Sequence, residues 1–243
     1  MPAPVAATTT EHTPATATPV SGLLLVDKPA GMTSHDVVQH VRRAFGERSI
    51  GHLGTLDPFA TGLLVLLLGR ATRLATFIEA EPKVYEASIR FGEETDTDDA
   101  TGTVIRRAAP PAATDLEAAV RSLTGRISQI PPAYSAKSVD GTRAYDAARR
   151  GVPLQLAAVD VTVHDWRLGR FAGDSLDAVV TCSGGTYIRA LARDLGRLTS
   201  SAAHLAALRR TRAGEFDVTD AVTLEDLTGS RARIRALRVV AEH

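Results

Sequence analysis

The chain has 243 residues, 44% hydrophobic and 23% charged, ordinary values for a globular protein. No run approaches the about 18 apolar residues of a membrane-spanning helix, and the single cysteine, Cys182, excludes an intrachain disulfide and fits a reducing cytoplasm. Net charge is zero, which neither requires nor excludes a polyanionic partner.

Residues 1–20 are mostly Ala, Thr and Pro and contain no Lys or Arg. They lack the basic start and apolar middle of a secretory signal and read as a disordered tail. Leu23–Val26 is a short apolar run, expected to be a strand. Lys28-Pro-Ala-Gly-Met-Thr-Ser follows as a loop. Thr33 then opens a helix, with Asp36 in capping-box position. Val37, Val38, Val41, Ala44 and Phe45 form its apolar stripe, and Gly46 ends it. Residues 51–62 hold three glycines and a proline and form a structured loop. Leu63–Leu68 has the length of a buried strand.

From Tyr85 the pattern alternates. Tyr85, Ala87, Ile89 and Phe91 share one face of a half-buried strand. Residues 95–102 read as a solvated acidic turn. The spacing predicts a helix over 114–123 with a Thr114/Glu117 box. A second covers 142–150, closed by Gly151. Strands are expected at about 158–168 and 175–182. Ser183–Thr186 turns into a helix that runs to Leu198, and a further helix covers about 201–210. There is no internal repeat. The fold class expected is α+β, a mixed, mainly antiparallel sheet flanked by helices.

Charge is unevenly spread. Residues 61–100 carry 4 basic and 8 acidic side chains, and residues 101–150 carry 8 basic and 4 acidic. A nucleic-acid binder needs a local basic face, so the second segment is a candidate. Dispersed surface charge is the plainer reading.

Asp57 has the most unusual setting. Gly54 precedes it, Pro58 follows and Gly62 closes the segment. Pro58 pushes Asp57 towards extended backbone, and the glycines allow close approach. Two readings stand: an Asp-Pro turn bonded to nearby amides, or a nucleophilic carboxylate at the mouth of a sheet. His52 is either a polar group near the same pocket or a loop histidine bonded to backbone. Arg189 sits in the first turn of its helix, where a cation opposes the dipole. A carboxylate or a phosphate partner would explain it; a surface position is the bland alternative. Tyr85 reads as a core aromatic before it reads as a platform for a base.

Other chemistry lacks a foothold. Asp96, Asp98 and Asp99 miss the calcium-loop spacing. The histidines show no i,i+4 pairing and one cysteine makes no zinc site, so no metal is expected. The Gly-Gly turn at 184–185 lacks the phosphate-loop and dinucleotide patterns. No Gly-x-Ser-x-Gly anchors a serine hydrolase. A glycoside hydrolase would need a second carboxylate as acid or base at a set separation from Asp57, and the nearest acidic motif is the 93–99 turn read as exposed.

Five segments together resemble the TruB family of tRNA pseudouridine synthases. They are Lys28-Pro-Ala-Gly-Met-Thr-Ser, Gly51-His-Leu-Gly-Thr-Leu-Asp-Pro-Phe-Ala-Thr-Gly, Lys83-Val-Tyr, Pro131-Pro-Ala-Tyr-Ser-Ala-Lys with Gly141-Thr-Arg-Ala-Tyr, and Gly185-Thr-Tyr-Ile-Arg. The resemblance spans roughly residues 22–227 and implies a pseudouridine synthase fold. It implies Asp57 as the nucleophile, Arg189 as its partner, Tyr85 as the stacking surface for a flipped uracil and His52 as a residue that holds the target nucleotide. Lys28, Tyr187 and the Pro131–Lys137 loop would line the site or the RNA surface. The implied partner is the tRNA T stem-loop, with no cofactor, no membrane and no obligatory protein partner, the enzyme acting as a cytoplasmic monomer. The implied division is a catalytic domain over 21–228. The 229–243 remnant is too short for the RNA-binding PUA domain that bacterial members commonly carry. Competing readings are a guide-RNA-dependent H/ACA synthase subunit and a non-catalytic tRNA chaperone.

Overall fold

The computed structural model describes residues 20–228 apart from 140 and 153. Apart from Val20, the expected tail and the 229–243 remnant lie outside the described residues.

The first strand, β1 (Gly22–Lys28), leads into α1 (Ser34–Phe45). The Thr33 hydroxyl accepts from the Asp36 amide at 3.0 Å and Asp36 accepts from the Thr33 amide at 2.8 Å. Gly46 closes the helix in the left-handed conformation. Val37, Val38 and Val41 are buried and Phe45 partly so, whereas Ala44 is exposed. Next come β2 (Ile50–His52), β3 (Thr61–Leu68) and β4 (Lys83–Phe91), the last with Tyr85, Ala87, Ile89 and Phe91 buried in strict alternation. The short pair β5 (Glu93–Thr95) and β6 (Val104–Arg107) precedes α2 (Ala113–Ser122) and β7 (Gly125–Gln129). A small ribbon, β8 (Ser138–Val139) and β9 (Thr142–Arg143), carries α3 (Ala144–Arg149). The long hairpin β10 (Val159–Ala172) and β11 (Ser175–Cys182) leads to α4 (Ile188–Leu198), β12 (Ala203–Ala213), β13 (Phe216–Asp217) and α5 (Leu224–Thr228).

One sheet organises the molecule, in the order β1-β3-β12-β4-β11-β10-β7, with β13 on β12 and β2 on β3. Every pairing is antiparallel except β12 against β3. The sheet is mixed and mainly antiparallel, and the class is α+β. Helix α1 and α5 cover Leu24, Val26, Leu64, Leu66 and Leu68. Helices α2 and α4 cover the Tyr85–Phe91 face through Leu116, Val120, Ile188, Leu191 and Leu195.

Four expectations are corrected. The helix over 201–210 is the strand β12, at the centre of the sheet. Ala, Leu and Arg favour helix in isolation, but the segment lies between β3 and β4. Register shifts at Leu205/Ala207 and Arg210/Arg212 break its period of two, which hid it. The Thr114/Glu117 box is absent: α2 starts at Ala113, Ala112 caps it without a side-chain bond, and Thr114 turns to Asp115. The helix over 142–150 shortens because Thr142 and Arg143 pair with Val139 and Ser138. The acidic turn is not solvated, since Glu94, Asp98 and Asp99 are buried.

Gly62 lets β3 and β12 meet. Its φ is +100°, and a Cβ there would fall 2.8 Å from the Arg210 amide nitrogen and closer still to its carbonyl oxygen. Gly62→Ala combines left-handed strain with overpacking against backbone. It is expected to destabilise the protein by about 3 kcal/mol, measured as the loss in chemical denaturation; a loss under about 1 kcal/mol would refute the close approach.

Candidate active site

The loop between β2 and β3 is held from three directions. Ser34, buried at the start of α1, accepts from the Leu56 amide at 2.9 Å and donates to the Leu56 carbonyl at 3.2 Å. The Pro58 carbonyl accepts from the Gly31 amide at 2.8 Å and from Lys28 Nζ at 3.3 Å. Arg210, buried on β12, donates to the carbonyls of Leu63 at 2.7 Å and Gly54 at 3.2 Å. Asp57 lies between these anchors, its backbone carbonyl accepting from the Ala60 amide at 3.1 Å.

Arg189 comes to this loop from α4. Its Nε donates to Asp57 Oδ2 at 2.9 Å and its Nη2 to Asp57 Oδ1 at 3.0 Å, a bidentate pair. The rest of the guanidinium is also engaged. Nη1 donates to the Thr97 carbonyl at 2.9 Å, Nη2 to the Tyr134 carbonyl at 3.0 Å, and Asp99 Oδ2 lies 3.7 Å from Nη1. These partners offset the poor placement of a cation in a first helical turn. The Arg189 side chain is 5% exposed and that of Asp57 34%, so the carboxylate is rigidly held yet open on one side.

Lys28 is fully buried and donates to the Pro29 carbonyl at 2.8 Å and the Met32 carbonyl at 2.7 Å besides Pro58. Burial lowers its pKa to about 8, partly opposed by Asp57. Its work is to hold the two loops together. Tyr85 is 6% exposed and packs in the core cluster with Leu56 and Ala60. Burial raises its phenol pKa. Tyr187 is half-buried, its backbone amide donating to Gln129 Oε1 at 2.9 Å and its carbonyl accepting from Gln129 Nε2 at 3.1 Å. Burial raises its phenol pKa as well.

The structure thus joins Asp57, Arg189 and Lys28 in one constellation, with Tyr85 beneath the loop. His52 is half-buried on β2, and burial, then the charges of Arg210 and His35, lower its pKa. No hydrogen bond joins it to Asp57. The aspartates of the 95–99 turn, dismissed from sequence as solvated, belong to the site instead. Asp99 is the second carboxylate on Arg189, and Asp98 meets Arg193 one helical turn on. Arg189, Arg193 and Arg197 follow i, i+4, i+8 spacing on one face of α4, a signal that could have pointed to these acidic partners. Several candidate RNA-binding cations are engaged too: Arg106 with Glu94, Arg107 with Glu93, Arg121 with Glu117 and Arg126 with Asp160.

A groove of about 880 Å³ lies on the sheet face of Glu86 and Ser88, edged by Ala30, Phe59, Arg167, Asp177 and Arg209. None of the six sequence-predicted residues lines it. Lys28 lines a smaller one of about 560 Å³, with Asp27, His40, Thr61 and Arg209. Among the described residues no cluster of His, Cys, Asp or Glu is arranged to hold a metal ion, and no helix is long and apolar enough to cross a membrane.

Comparison with known proteins places the chain in a family. Residues 42–188 match the model of the TruB family pseudouridylate synthase N-terminal domain, and residues 189–238 that of the tRNA pseudouridylate synthase B C-terminal domain. The chain is 52% identical over 218 residues to tRNA pseudouridine synthase B of Thermobifida fusca, covering 85% of this chain and 74% of that protein. It is 44% identical over 227 residues to the Bordetella pertussis protein of the same name, covering 92% and 93%. Among solved structures it is similar to Cbf5 in a Cbf5–Nop10–Gar1 complex, with a TM-score of 0.67 and 27% identity. That match covers 86% of this chain, which spans about half (54%) of the Cbf5 chain. The chain belongs to the TruB family of pseudouridylate synthases.

Proposed function

We propose that the protein isomerises uridine to pseudouridine in the T loop of tRNA, with Asp57 as the nucleophile. The single observation that carries the reading is the bidentate Asp57–Arg189 pair, buried on the arginine side with the carboxylate one-third exposed, in a chain 52% identical to a tRNA pseudouridine synthase B. The target uridine leaves the loop stack, because its glycosidic bond is out of reach within it. Asp57 attacks C1′ of the ribose or C6 of the base, or assists proton removal at C2′. The N1–C1′ bond breaks, the uracil turns and a C5–C1′ bond forms as Asp57 is released from any bond it made to the substrate; C5 loses its proton to solvent and N1 takes one up. The reaction rearranges bonds without net oxidation or hydrolysis.

The other residues take supporting roles. Arg189 orients and neutralises the carboxylate. Lys28 holds the two loops on which the site is built. Tyr85 supplies the stacking surface once entry of the base uncovers its ring. His52 and Tyr187 hold the displaced nucleotide. The stem-loop is gripped through its shape and backbone, with splayed bases read individually. The catalytic domain spans 21–228 and works as a cytoplasmic monomer.

The likeness to Cbf5, solved with Nop10 and Gar1, favours one second reading, a guide-dependent synthase subunit. One experiment decides. The protein alone is incubated with an unmodified tRNA transcript labelled with tritium at uridine C5. Stoichiometric tritium release is expected without guide RNA or added protein. Release only when guide RNA and partners are supplied would favour the second reading. No release under either condition would sink both.

A further inference from the structure

Arg193 repeats the arrangement of Arg189 one turn along α4. Its Nη1 meets Asp98 Oδ2 at 2.8 Å, and its Nη2 donates to the Ile130 carbonyl at 2.8 Å. Arg189 donates to the carbonyls of Thr97 and Tyr134. The two arginines therefore tie the same two segments, 97–99 and 130–134, to one face of α4. The Asp98 and Arg193 side chains are 9% and 8% exposed, and the side-chain hydrogen bonds of Asp57 run to Arg189 rather than to either of them.

Asp98 also sets the backbone of its turn. Its φ is +61°, a left-handed conformation that Asp and Asn tolerate better than other non-glycine residues. Its amide donates to the Thr95 carbonyl at 3.2 Å, and its carbonyl accepts from the Leu205 amide on β12 at 3.0 Å. The carbonyl that orients Arg189 belongs to Thr97, one residue away.

We propose that the Asp98–Arg193 pair is a positioning element for the Asp57–Arg189 pair. It holds the left-handed turn at residue 98 and the Ile130 end of the 130–134 strap. It thereby sets the two carbonyls that aim Arg189, and through Arg189 the Asp57 carboxylate. This rests on the reading of Asp57 as nucleophile. Preorganisation of this kind matters because a misplacement of about 1 Å far from the chemistry can cost roughly 100-fold in rate.

The pair is also pH-sensitive. Burial pushes the Asp98 carboxyl up to about 6, opposed by Arg193, Arg189 and Arg197 and reinforced by Glu94. Asp99 and Asp194 complete the charged groups around it, Asp194 through its bond to Arg193 Nε at 2.9 Å. Asp98 is ionised above about 6 and paired, and protonated below it, where the ion pair is lost.

Asp98→Asn tests this cleanly, since Asn keeps the shape and the tolerance of positive φ while removing the charge. With the unmodified tRNA transcript, kcat is expected to fall about 10- to 100-fold with KM nearly unchanged. Wild-type kcat should fall as pH drops through about 6, whereas the variant should stay flat at the low value. Wild-type kcat in Asp98→Asn overturns the proposal. So does a loss that falls on KM, or a reduced kcat with the acid limb intact. If Asp98→Asn does not fold, Arg193→Lys keeps the charge but cannot span Asp98 and Ile130 together. The same kcat-selective loss is expected there, and wild-type kcat would overturn the proposal. Every readout is a ratio to active wild type, so a wild type that releases no tritium counts against the function proposed above and is told apart from failure of this inference.

Discussion

Asp57→Asn is expected to abolish pseudouridine formation, lowering kcat by at least about 1000-fold, the scale on which nucleophile removal acts. An amide of the same shape cannot attack carbon or take up a proton in the carboxylate's place. The fold should survive. Arg189 keeps the Thr97 and Tyr134 carbonyls and Asp99, and the loop keeps its anchors at Gly54, Leu56 and Pro58. Binding of tRNA should therefore change little. Tritium release measures the first expectation and a filter-binding titration the second. An active Asp57→Asn protein would remove Asp57 from the chemistry. An inactive protein that had also lost tRNA binding would leave the residue with a structural role.

Arg189→Met is expected to harm both activity and stability. The substitution removes the bidentate partner of Asp57, the neighbour of Asp99 and the donor to two carbonyls. Removing one partner of a buried ion pair costs about 3–5 kcal/mol when the other is left uncompensated. Asp57 is one-third exposed, so the lower end applies, about 3 kcal/mol by chemical denaturation. Turnover should fall about 100-fold or more, the scale for loss of an orienting charged group. Arg189→Lys separates the two effects. An ammonium keeps the charge but not the planar fork. It should recover much of the stability and little of the turnover. Full activity in Arg189→Lys would show that charge alone suffices and that the bidentate geometry is dispensable.

What was legible in the sequence was mostly local. The α1 cap at Thr33 and Asp36, the stop at Gly46, the alternation from Tyr85 to Phe91 and the apolar run of β3 are near-neighbour patterns, and the structure carries all of them. The motifs that marked Asp57, Arg189 and Lys28 were legible for the same reason, as short runs of residues suited to one job. What failed had competing long-range causes. Strand β12 reads as a helix because its residues favour helix and its two register shifts erase the alternation. The 95–99 turn reads as solvated because carboxylates are mostly exposed unless paired, and their partners lie about 90 residues away on α4.

By itself, then, the sequence determined the local elements, the α+β class and the family to which the Asp57 motif belongs, because capping, periodicity and motif spacing are properties of neighbouring residues. Tertiary structure alone decided that Asp57 and Arg189, 132 residues apart, share two hydrogen bonds. It alone placed Asp98 and Asp99 inside rather than outside. It alone put β12 between β3 and β4, where Arg210 reaches the Gly54 carbonyl. The physical reason is common to all three. A buried charge is tolerable only where it meets a partner, and for these residues the decisive partners come from far along the chain, set by the pairing order of the sheet and the docking of α4 upon it.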